Sequence, residues 1–356
     1  MSSSVARPDL LSAARSIENG GTRERAREAI GLQISIFAFV LAALVALPVF
    51  GFRSAPISGA GSIGQYAAIA AAVTALVVFI LGRIVVADPT RSKPLGLLDV
   101  IDVVALAVAH AVIALLGWTL TAVILEAGLI GAVVFPFPVL VLSGAAAGLT
   151  AYVVYASATR LDLQLLAVVL ATFLVVGILA SMLTASDPSW WKDNLSALGM
   201  TNDLSARAFN LTLIVAGVLV TTLARYATAK IPARRQGVTA VRACLVIVGI
   251  FLGLVGVFPV DRFFLLHTGV ASGMAVAFGV LVIALRWWLP GLSRTFLLLG
   301  YLFVAVIVLL AVLFAVGYYS LTAVELIAGV LVFTWIILFI RTADALTLDA
   351  AAADDS

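Results

Sequence analysis

The chain is poor in the residues on which most site chemistry depends. It has one cysteine, Cys244, inside an apolar run, so an intramolecular disulfide and a cysteine-based metal site are both excluded. It has two histidines, His110 and His267, too few imidazoles for the three-histidine sites of membrane metal hydrolases, so no metal and no cofactor are expected. Charged residues make up 11% of the chain and the net charge is only +3. No span is rich in cations, as voltage sensing would require. No G-x-x-x-x-G-K-[ST] or paired-cysteine pattern points to a nucleotide or zinc module, and no nucleic-acid partner is expected.

What is abundant is hydrocarbon. Of the 356 residues, 63% are hydrophobic and the mean hydropathy is +1.21, so the chain must be solvated by lipid. A bilayer core about 30 Å thick needs roughly 20 apolar residues per helix. Runs of that length recur near 32–52, 66–87, 98–122, 133–157, 165–184, 204–225, 239–259, 262–287, 295–317 and 321–340. The expected fold is an all-α, polytopic membrane bundle of about ten transmembrane helices. The segment from Leu120 to Val139, with Glu126 and "FPFP" at Phe135 to Pro138, is the least regular and suits a break or re-entrant turn.

Cations mark the sides. Arg7, Arg15, Arg23, Arg25 and Arg27 precede the first span, Arg83, Arg91 and Lys93 follow the second, and Arg160, Arg225, Lys230, Arg234, Arg235, Arg242, Arg286, Arg294 and Arg341 sit near later even-to-odd connections or after the last span. The positive-inside rule makes these cytoplasmic, with both termini inside a cell membrane. The odd-to-even connections carry only Arg53, Lys192 and Arg262 and face outward. "TRERAREA" (Thr22 to Ala29) reads as a basic surface helix that anchors the topology. No signal-peptide core precedes the first span, so no cleaved leader is expected, and the tail "LDAAAADDS" reads as disordered.

The connection 185–203, containing "SDPSWWKDNLSALGM", is longer than linking two helices requires. Around it, "NLSALG" (Asn194 to Gly199), "ARAFNLTLIVAG" (Ala206 to Gly217) and "VGVFPVDRFFLLH" (Val255 to His267) resemble the signatures of the prokaryotic membrane family known as domain of unknown function 998. The resemblance runs over about 165–341 and implies a six-helix unit; the family supplies no activity to carry over. The expected organisation is a cytoplasmic basic segment 1–31, a four-helix unit 32–160, a six-helix unit 165–341 and a disordered cytoplasmic tail 342–356. A five-plus-five inverted repeat has one weak echo, Asp102 and His110 against Asp261 and His267.

Polar residues inside hydrocarbon are functional candidates by default. At a rise of about 1.5 Å per residue, Asn210 lies roughly 10 Å inward from Asp203, and His267 roughly 9 Å inward from Asp261. The two share a depth beneath one external face. If the loop folds over them, Asp193, Asn194 and Ser196 join Asn210 and His267 in a ligand-binding pocket of the outer leaflet, with Trp190 and Trp191 as interface anchors. Asn194 or Ser196 should then hydrogen-bond to Asn210 or His267. Asp102 and His110 are the candidates for a proton relay.

Each residue also has a plainer reading. Asp261 reads as the N-cap of span eight, Thr322 with Glu325 as a capping box, and Asp203 with Arg207 as a local ion pair. Asn210 could be helix-to-helix glue, Gly269 and Gly273 a packing face, and Asp99 or Asp102 a helix cap. Three functions follow: transport or handling of a lipid or small solute; a noncatalytic membrane partner or subunit of an envelope complex, contacting a protein through the external loop; and an intramembrane hydrolase using Ser196 and His267. Whether the chain is an enzyme is left open, and membrane lipids are its surest partners.

Overall fold

The computed structural model describes residues 9–86, 96–160 and 162–354. Arg7, Arg91 and Lys93, counted above as cytoplasmic cations, lie outside the described residues. The helices are α1 (Asp9–Phe50), α2 (Ile63–Leu81), α3 (Leu97–Gly128), α4 (Pro136–Thr159), α5 (Leu163–Leu183), α6 (Leu204–Ala227), α7 (Arg235–Val257), α8 (Phe264–Trp288), α9 (Arg294–Ala315) and α10 (Leu321–Asp354). All ten are long and apolar enough to cross a membrane.

Side chains that satisfy the first free amides fix several helix starts. Ser62 accepts from Gln65 N at 3.0 Å, Asp162 from Leu165 N at 2.7 Å and Ser293 from Phe296 N at 3.2 Å. The Leu120–Val139 segment holds a break between two helices rather than a re-entrant turn. Helix α3 runs unbroken to Gly128, and Gly131 turns the chain at φ +74°. Strand β2 (Val133–Val134) then pairs antiparallel with β1 (Ala55–Pro56) of the preceding connection on that side. Pro136 opens α4, a position where a missing N–H costs nothing. The tail expected to be disordered continues α10 to Asp354; its alanine run has high helix propensity.

The helices pack as two sets. In the first, α1 lies on α4 while α2 lies between α3 and α4. In the second, α5, α6, α7, α8, α9 and α10 contact one another in sequence and α10 returns to α5, closing a ring. Helix α3 joins the sets by packing on α5 and α6. Close approach rests on small residues, as expected where lipid is as apolar as the interface. A Cβ on Gly217 of α6 would stand 2.4 Å from Gly249 O of α7, and one on Gly144 of α4 would stand 2.8 Å from Phe39 O of α1.

Candidate functional site

The connection between α5 and α6 is closed at its neck and then folded back on the bundle. Asp203, the N-cap of α6, accepts from Ala206 N at 2.9 Å, Thr201 Oγ1 at 2.6 Å, Ser186 N at 3.3 Å and the Ser186 hydroxyl. Partial burial alone would raise its pKa. The hydrogen bonds from Ser186, Thr201 and Ala206 outweigh that and lower it to about 2. Asp203 is thus a clasp for the loop, and among the described residues it forms no ion pair with Arg207.

Past the neck, two 3₁₀ turns, Trp190–Lys192 and Leu195–Gly199, lay the chain across the ends of α6, α8 and α10. Leu198 is 2% exposed and joins the core. Three helices meet the loop with polar side chains. Asn210 of α6 donates to Gly199 O at 3.1 Å, and a Cβ on Gly199 would fall 2.5 Å from Asn210 Oδ1. His267 of α8 holds Ser196 Oγ 3.0 Å from Nε2. Glu325 of α10 accepts from Leu195 N at 2.6 Å and also from the Ser196 amide.

The imidazole is oriented by its second nitrogen. His267 Nδ1 lies 2.7 Å from Phe258 O, at the end of α7. A carbonyl oxygen only accepts, so Nδ1 carries the proton, and Nε2 of the neutral ring accepts from the Ser196 hydroxyl. Both side chains are buried, at 6% and 8% exposed. Beneath the neck a recess of about 10 Å³, lined in part by Trp190, Leu198 and Asp203, has room for about one water.

The structure brings together some of the anticipated residues and separates others. Ser196 and His267 touch, while Asn210 meets the loop at Gly199. Asn194 Oδ1 is buried without a hydrogen-bond partner, and Asp193 is exposed. Trp190 is half-buried against the core, whereas Trp191 is 53% exposed with Lys192 Nζ 5.8 Å from its ring. Glu325 is not half of a capping box with Thr322. Helix α10 begins at Leu321, Ser320 Oγ accepts from Ala323 N at 3.4 Å, and Thr322 Oγ1 is buried without a hydrogen-bond partner. Nor does Asp261 cap α8, which begins after Phe263; it lies 3.7 Å from Arg262 Nε instead. Of the glycine pair, Gly273 packs closely on Phe251, but Gly269 meets nothing.

At the other end of the bundle, Asp102 of α3 is ion-paired with Arg225 of α6. His110 contacts Leu106 O at 2.7 Å and Ser157 Oγ of α4 at 2.8 Å, with Phe79 against its ring at 4.5 Å between centroids. Asp102 and His110 are therefore held by separate partners on separate helices. The α5–α10 ring, with its folded loop, coincides with the stretch that carries the sequence resemblance. No curated protein and no solved structure matches the chain at a significant level. The model of the family described as protein of unknown function (DUF998) matches residues 165–342, and this multi-pass membrane chain belongs to that family.

Proposed function

We propose that this protein is a carrier that handles a lipid or small polar solute at the outer face of the cell membrane, with the connection 185–203 as the cover of its site. The supporting observation is the convergence of Asn210, His267 and Glu325, from three helices, on one segment of that connection. Polar groups in an apolar bundle are costly to keep. Here they hold a loop that can lift without breaking a helix, as active-site covers do. Lifting would free Asn194, Ser196, Asn210, His267 and Glu325 to bind a ligand. Asp102, near the cytoplasmic end by the charge rule, and His110, about 12 Å deeper at about 1.5 Å per residue, are the candidates for proton coupling.

The acyl-transfer alternative has the serine-to-imidazole contact in its favour. Against it, the amides of Leu195 and Ser196 donate to the Glu325 carboxylate, where acyl transfer needs N–H groups for an oxyanion. In the subunit alternative the exposed Trp191 anchors a partner. The test is flux of fluorescent lipids and polar solutes through proteoliposomes. His267→Ala should impair flux more than Ser196→Ala. A fluorophosphonate adduct on Ser196 would replace the carrier with a hydrolase, and absence of flux together with crosslinks from position 191 to another protein would replace it with a subunit.

A further inference from the structure

A groove of about 390 Å³ lies on the loop side of the bundle, away from the Ser196–His267 site. Its walls are α2, α3 and the first residue of α6, with Ala68, Ile69, Leu116, Thr119, Val123 and Leu204 among the lining. The Thr119 hydroxyl is satisfied by Leu115 O at 2.7 Å, so that residue adds little free polarity. The remaining polar side chains lie at the mouth, where Ser58 donates to Glu126 and Gln65 Oε1 accepts from Gly61 N at 2.8 Å. The groove is thus polar at the helix ends and apolar inward.

We infer that this groove binds one hydrocarbon chain of an outer-leaflet lipid whose head group offers N–H or O–H donors at the mouth. The volume falls in the range of about 300–1,000 Å³ typical of ligand sites. Ala68 lies about 9 Å inward from the α2 cap, and Leu116 about 18 Å inward from the end of α3, at about 1.5 Å per residue. That reach matches one leaflet, about half of a 30 Å hydrocarbon core. Glu126, which accepts from Ser58 at the mouth, has further acceptor sites for a donor head.

The walls are built before any chain arrives. A Cβ on Gly64 would stand 2.3 Å from Ala122 Cβ, so α2 and α3 already touch beside the groove. The β1–β2 pairing ties together the two connections at the mouth. The third wall, Leu204, directly follows the Asp203 clasp and lies in the family-matched stretch, whereas α2 and α3 precede it. The site therefore needs both helix sets, and it stands on residues independent of the proposed carrier site.

The experiment uses the full chain in phosphatidylethanolamine–phosphatidylglycerol vesicles doped with a phosphatidylethanolamine that bears a diazirine in one acyl chain. After illumination, peptide mapping should find labelling at 64–69 and 115–123 about ten-fold above that of α9, equivalent to about 1.4 kcal/mol of preference. Leu298 and Leu302 of α9, 65% and 57% exposed, report ordinary lipid contact. Filling the groove by Val123→Phe or, should that variant not fold, Thr119→Phe should abolish the excess and leave α9 labelling unchanged. Equal labelling of groove and α9, or an excess that survives in a folded filled variant, overturns the proposal.

Discussion

Glu325→Ala isolates the strongest of the three contacts that hold the loop. Asn210 and His267 each make one hydrogen bond with it, between neutral partners in the tautomer assigned above, and such bonds contribute about 0.5–1.5 kcal/mol net. Glu325 accepts from two amides, those of Leu195 and Ser196, so at the same value per bond it contributes about 1–3 kcal/mol. At about 1.4 kcal/mol per decade, removing it should raise the population of open loop about 5- to 140-fold, against about 2- to 12-fold for His267→Ala. The reporter is Leu198→Cys in a Cys244→Ala background, because Leu198 is 2% exposed and reacts with a soluble maleimide only when the loop lifts. The labelling rate should rise in proportion to the open population. If Glu325→Ala changes that rate less than two-fold while His267→Ala changes it more, the loop is not held by Glu325 and the argument from its two bonds fails.

Three further outcomes are expected. Cysteine at Ser189 should react with an impermeant thiol reagent in intact cells and cysteine at Gln236 should not; reversed labelling would overturn the charge-based orientation. The Asp203 carboxylate should titrate near pH 2 rather than near its ordinary 3.8, read from its carbon-13 shift. Its folded pKa is lowered, so the stability it contributes is complete above about 3.8 and lost as pH falls through about 2, and Ser186→Ala should move the midpoint upward. Asp102→Ala should cost about 3 kcal/mol, the lower end of the range for breaking a buried pair because Arg225 is partly exposed. Replacing both residues with leucine should recover most of that loss in a thermal melt.

Hydropathy and length determined the ten helices unaided, because a bilayer leaves few alternatives to a helix for twenty consecutive apolar residues. Two limits of that reading show at α3 and α10. "FPFP" left a break and a re-entrant turn both open, and only the structure shows the break, with Pro136 where a helix has no amide to lose. The terminal alanines suggested disorder although they favour helix. Depth arithmetic along α6 and α8 was enough to set Asn210 and His267 beneath one face, since spans must cross the same thickness, and the loop folded over them brings Ser196 to His267. It could not reach Glu325, which is 130 residues from Leu195 in sequence and carries a local pattern that also describes a helix cap. Which helix faces which neighbour is not encoded in the period of apolar residues when lipid and protein interior are equally apolar. The closing of α10 onto α5, the pairing of Asp102 with Arg225 and the groove between α2, α3 and Leu204 were therefore decided by tertiary packing alone.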